Sequence, residues 1–322
     1  MWAERDGAWL ASGRFLTRMM AVATAFLITS AFAFDTGFPS GTVLPTKRTV
    51  VSPLQDSKAR ALMTAVFDGD ERVVRQMLEA DPGLASTAAP DPDFYHTYAG
   101  LLNVAIGRQN KRMVDLLLAE HVSPDFPENT SPIRLALEAR DPWYLTRLLQ
   151  DGANPNGTEH SINPLSGAVS GGHLHSVKIL VEHGADVNWA SRFGDTPLLT
   201  TIAAPGGYQA AEYLLDHDAN MWAITTRGQN IGYVCRGRAR EDPAEEAARQ
   251  RVVARIKAAG VPCPPSDDRR ETIGQVLAGE WPPAGARAAG AKPPSEALMA
   301  EFRATWNPDG TSKITPLRKR GS

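Results

Sequence analysis

The side chains best able to do chemistry are few and scattered. His173, His175 and His183 fall within eleven residues, and an HxH pair is a spacing that metal sites use. Cys235 and Cys263 are the two cysteines; they lack the CxxC spacing and fall short of the four ligands usual in a structural zinc site. A disulfide between them, or no bond at all, are the readings left open. The carboxylate pairs Asp91 with Asp93 and Glu245 with Glu246 lie in predicted loop and solvated-helix contexts, where carboxylates are ordinary surface. No GxSxG elbow, phosphate-binding loop or HExxH pair is present. Catalysis is therefore not expected, and neither a cofactor nor a bound metal is called for.

Composition excludes a further class. The 322 residues are 43% hydrophobic and 22% charged with a formal net charge of -2, so the basic excess that phosphate binding needs is missing and nucleic acid is not an expected partner. The N-terminus carries a targeting signal. Arg14 and Arg18 precede an uncharged apolar run from Met19 to Phe34. At about 16 residues it is shorter than the roughly 20 a spanning helix requires, and Ala31-Phe32-Ala33 supplies a small-x-small cleavage site. Residues 1–33 are read as a signal peptide cleaved after Ala33, leaving a periplasmic or secreted protein. The alternatives are a retained anchor, which would hold the protein in the inner membrane facing the periplasm and would be its one membrane contact, and a buried helix of the fold.

The elements that would position any site come from an internal repeat. VDLLLAEHVSPD, LTRLLQDGANPN, VKILVEHGADVN and AEYLLDHDANMW align, and counting back to a common helix start gives Gly100, Ser131, Asn163, Thr196 and Asn230, separated by 31, 32, 33 and 34 residues. Ser131-Pro132, Asn163-Pro164 and Thr196-Pro197 put a capping oxygen before a proline at the first helical position. Small residues (Ala105, Ala136, Ala168, Cys235) fall at the centre of each first helix. An apolar stripe recurs on the second, as Val114, Leu117 and Leu118, then Leu145, Leu148 and Leu149, then Val177, Leu180 and Val181. Gly152, Gly184 and Gly260 follow the second helices where a left-handed residue closes the last turn, and His121 and Asp218 take that slot less comfortably.

TPLL, NPLSGAVSGGH and HGADVN resemble the ankyrin repeat, whose pattern runs TPLHLAA, then GH, then LLxxGADVN. The resemblance covers roughly residues 56–264 and implies an all-α solenoid of about six helix-turn-helix units with short hairpin loops. Residues 34–55 read as a linker and 265–322, rich in Pro, Ala and Gly, as a largely disordered tail. The first unit would start its helix at Arg60, leaving about seven extra residues before Gly100, around Asp93-Phe94-Tyr95-His96. The family's TPLH histidine is replaced by Asn103, Arg134, Ser166, Leu199 and Tyr233, so few polar ties between repeats are expected and both ends of the stack should fray first. His173 belongs to the GH signature and His183 to the turn before Gly184, so the two would lie at opposite ends of one helix, about 15 Å apart, and not around a metal.

What the resemblance implies for function is protein binding by a monomer, through hairpin tips and the concave side of the first helices. The tips carry Trp189, Arg192 and Phe193, then Trp222 and Arg227, with Phe126, Glu159 and His160 before them; Arg108, Arg134 and Glu138 would line the concave side. Trp, Tyr and Arg are the types enriched in interface hot spots. The expected role is a scaffold controlling one partner, for example an immunity protein against a secreted toxin. The other reading is a membrane-anchored structural or accessory envelope protein, for example one supporting an oxidative-stress enzyme.

Overall fold

Each repeat supplies its own start and stop signals, and short antiparallel helix pairs follow from them. The computed structural model describes residues 42, 44–90, 98–126, 131–158, 163–237 and 241–313. All but the first belong to one compact unit, Val43–Ser322. The N-terminal apolar run, the insertion residues 91–97, and Glu159 and His160 lie outside the described residues.

A short helix α1 (Lys47–Val51) leads into the pair α2 (Ser57–Asp68) and α3 (Glu71–Ala80). Strands β1 (Ala88–Pro90) and β2 (Tyr98–Gly100) pair antiparallel, Ala88 opposite Gly100. The pairs α4 (Leu101–Gly107) with α5 (Lys111–Ala119), α6 (Pro132–Glu138) with α7 (Trp143–Gln150), and α8 (Pro164–Ser170) with α9 (Leu174–Glu182) follow. Next come α10 (Pro197–Thr200) with α11 (Gly207–Asp216), then a 3-10 turn (Ile231–Arg236) with the long α12 (Pro243–Ala258). Helices α13 (Arg269–Leu277), α14 (Ala284–Ala288) and α15 (Glu296–Thr305) complete the described chain. Among the described residues no helix is long and apolar enough to cross a membrane.

Gly100, Ser131, Asn163, Thr196 and Asn230 are all N-cap positions. Asn163 Oδ1 accepts from the Ser166 N–H at 2.9 Å and Thr196 Oγ1 from that of Leu199 at 3.2 Å, while Ser131 makes no cap bond. Gly152, Gly184 and Gly260 are left-handed with φ of 90°, 86° and 79°, and His121 and Asp218 hold 63°. The stripe residues of the second helices are buried, apart from the half-buried Val181.

Four expectations are corrected. The first repeat helix is capped by Asp56, whose Oδ1 accepts from the Ala59 N–H at 2.7 Å, because a carboxylate caps a helix and arginine does not. Arg60 instead reaches back to the Leu54 carbonyl. The linker read over 34–55 contains α1, with Val50 and Leu54 in the core. The all-helical expectation omitted the β1–β2 pair. The tail read as disordered is folded as far as Lys313: its described prolines sit outside the helices, while Trp281, 2% exposed, and the fully buried Phe302 pack inward. Cys235 and Cys263 are joined as a disulfide, Cα atoms 5.5 Å apart, at the point where that C-terminal lobe leaves the stack.

Candidate interaction surface

The hairpins between repeats form a ladder of side-chain oxygens and backbone amides. In each, the first polar residue accepts from the N–H two positions on: Ser123 from Asp125, Asn154 from Asn156, Asp186 from Asn188, Asn220 from Trp222. The second polar residue then ties to the next hairpin. Asp125 accepts from the Asn154 N–H at 3.1 Å, Asn156 from that of Asp186 at 2.7 Å, and Asn188 from that of Asn220 at 2.6 Å. Asn188 Nδ2 also donates to the Asp218 carbonyl at 3.0 Å. The loss of the TPLH histidine therefore does not strip the stack of polar ties, because these hairpin groups carry them along its edge. Each such bond contributes on the order of 1 kcal/mol.

The ladder ends at Trp222. It occupies the position held by Asp125, Asn156 and Asn188 in earlier hairpins, and its partner is the C-terminal lobe. Its indole packs edge-on against Trp281, ring centroids 5.3 Å apart, and its carbonyl accepts from Trp281 Nε1 at 3.1 Å. Trp306 Nε1 donates to the Thr226 carbonyl at 2.7 Å. A Cβ at Gly194 would run into the Ile224 carbonyl of the next hairpin, and one at the equivalent Gly228 would meet Ile273 of α13 at 3.2 Å. The C-terminal lobe thus stands where another repeat would stand. Trp222, 7% exposed, packs inside the chain and does not project from its hairpin as the sequence reading expected; an indole this close to a second indole is buried by its own chain.

The tip one repeat earlier is free. Phe193 is the large hydrophobic side chain exposed among the described residues, at 43%, with the Arg192 guanidinium 4.4 Å from its ring centroid. The turn beneath is held by backbone hydrogen bonds: Ser191 N–H donates to the Asp195 carbonyl at 2.9 Å, Gly194 N–H to the Ser191 carbonyl at 2.9 Å, and Thr226 N–H to the Phe193 carbonyl at 2.8 Å. Arg227, in the next hairpin, reaches Asp195 at 3.5 Å. The structure thus pairs Arg192 with Phe193 and ties Arg227 of the adjoining hairpin to Asp195 of the same turn. Trp189 and Phe126 are half-buried in their own hairpins. Arg108 stacks on the Phe67 ring at 4.7 Å, a partner the sequence reading missed, while Arg134 is exposed and Glu138 half-buried on α6.

Glu245 is not solvated. It is 6% exposed, and its oxygens accept from the Tyr208 and Gln209 N–H groups at 3.1 Å each, at the start of α11. Gly206, the N-cap there, has no side chain to do this.

A family model described as ankyrin repeats, in three copies, matches residues 148–225. An ankyrin repeat protein of Acanthamoeba polyphaga mimivirus is 32% identical over 89 residues, which is 26% of this chain and 54% of that protein. An ankyrin repeat-containing protein of Schizosaccharomyces pombe is 45% identical over 51 residues, 16% of this chain and 25% of that protein. The chain therefore spans about half the length of the one relative and a quarter of the other. The ladder of Asn156, Asp186, Asn188 and Asn220 runs through the matched segment, and residues 148–225 are a run of ankyrin repeats.

Proposed function

We propose that this chain is an exported, monomeric scaffold that binds one partner protein and inhibits or supports it, as an immunity protein does for a secreted toxin. The observation that carries the reading is the exposed Phe193 ring, held with Arg192 on a hydrogen-bonded tip within the ankyrin segment. A preordered aromatic flanked by arginine loses little entropy on binding and is the composition of a hot spot. Export rests on the apolar run Met19–Phe34 and the Ala31-Phe32-Ala33 site.

The direct test is affinity capture from envelope extract with the wild type and a Trp189→Ala, Arg192→Ala, Phe193→Ala variant. A specific partner should be retained by the wild type and its recovery should fall at least about tenfold with the variant, the effect of removing roughly 1.4 kcal/mol or more of binding energy. Equal recovery would remove this surface from the reading. N-terminal sequencing of the mature protein should begin at Phe34; a chain beginning at Met1 would favour the anchored form.

A further inference from the structure

The C-terminal lobe does more than end the hairpin ladder, because it leaves a cleft of about 350 Å³ against it. One wall is the hairpin segment carrying Ala190 and Gly194, the floor is Trp222 and Ile224, and the opposite wall is the strap Gly290–Ser295 with Leu298 of α15. This volume is at the lower end of the range of ligand sites. The surface is largely apolar, and most of its polar groups are already committed. Asn188 is used twice within the ladder, Asn220 Oδ1 accepts from Trp222, and the Thr196 and Ser295 hydroxyls cap helices.

Two charges are not committed. Asp218, whose backbone carbonyl is taken by Asn188, and Lys292, on the strap, both line the cleft, and among the described residues neither side chain has an ion-pair or hydrogen-bond partner. The strap carries no regular secondary structure over residues 291–295, and Pro293 and Pro294 leave it with carbonyls to offer and few N–H groups to satisfy.

We propose that this cleft takes an extended peptide segment of a partner. An apolar side chain of the segment enters between Trp222 and Leu298, while a basic and an acidic residue of the same segment meet Asp218 and Lys292. Peptide fits this cleft better than a wholly apolar ligand, which would leave both charges unanswered and the strap carbonyls facing apolar surface. The site is formed jointly by the repeats and the lobe, and it is separate from the Phe193 tip.

The test is fluorescence anisotropy on the full chain with the fluorescein-labelled peptide Gly-Lys-Leu-Val-Glu-Gly, and with Gly-Lys-Ser-Ser-Glu-Gly as the polar reference. The apolar peptide should bind at least about tenfold more tightly than the reference, as expected when one aliphatic side chain is buried. Ala190→Trp, which fills the cleft from an exposed position, should weaken binding about tenfold or more. The pair Asp218→Asn and Lys292→Gln, at exposed positions where asparagine tolerates the left-handed backbone of residue 218, should weaken it about threefold and remove its salt dependence. Phe193→Ala should leave it unchanged. No binding by the wild type, equal binding of the two peptides, or full binding by both cleft variants would overturn the proposal. Partner capture that depends on Phe193 while the peptide fails to bind would leave the scaffold reading standing and remove this cleft alone.

Discussion

Glu245 does the work of a helix cap from another element. Helix α11 begins after Gly206, in a left-handed conformation with φ of 62° and no side chain, so the N–H groups of Tyr208 and Gln209 take both oxygens of a carboxylate 36 to 37 residues away. Removing it leaves buried donors without an acceptor. Glu245→Ala is expected to lower stability in urea denaturation by about 2–3 kcal/mol, and Glu245→Gln, which keeps one acceptor, by less. Asp125 shows the opposite balance. Burial raises its carboxyl above the ordinary value, and the Asn154 N–H only partly offsets that. Ionising Asp125 in the folded protein is therefore disfavoured, and the cost grows as pH rises from below the ordinary carboxylate value through the raised one. Asp125→Asn keeps an oxygen for Asn154, as Asn156 and Asn188 do for their neighbours. Its melting temperature should exceed that of the wild type at neutral pH and match it near pH 3.

At the scale of elements, the C-terminal lobe replaces a repeat with different chemistry. Where earlier hairpins are tied by the carboxylate of Asp125 and the carboxamides of Asn156 and Asn188, the last is tied by two indoles, Trp281 to the Trp222 carbonyl and Trp306 to the Thr226 carbonyl. Tryptophan suits both tasks, supplying one donor and a large apolar face to a terminus that would otherwise be wet. Trp281→Ala removes both the bond and the buried ring and should cost about 3–5 kcal/mol. Trp306→Phe, which loses mainly the donor, should cost about 1 kcal/mol. A Trp306→Phe variant as stable as the wild type would show that the lobe is held at the Trp281 contact alone and not along the hairpins.

The unit Val43–Ser322 carries a row of nearest-neighbour interfaces between repeats, closed by the C-terminal lobe. Stability in such a row is roughly a sum of unit and interface terms, so opening should start where neighbours are missing. The lobe changes that expectation at the C-terminal end. Hydrogen exchange should find the Thr225 and Thr226 amides, bonded to the Gln229 and Phe193 carbonyls beneath the lobe, protected about as well as Gly194, whereas α1 and the β1–β2 pair exchange first. The Cys235–Cys263 disulfide, with a separation of 28 residues, should contribute about 3–4 kcal/mol by restricting the unfolded chain. Reduction should therefore lower protection in the Ile231–Arg236 turn and α12 before it affects α8 and α9.

What the sequence determined by itself is the local part. The N-caps at Gly100, Ser131, Asn163, Thr196 and Asn230, the left-handed stops and the stripes on the second helices depend on residues three or four apart, so a single chain displays them. The ankyrin pattern was legible for the same reason. The first helix start was misplaced at Arg60 because it was counted from the repeat template, whereas the local capping residue is Asp56. The tertiary structure alone decided the burial of Trp222, the capping by Glu245, the folded lobe and the cleft beside it. Those rest on contacts spanning 37, 59 and 80 residues, which follow no period and leave no spacing in the chain.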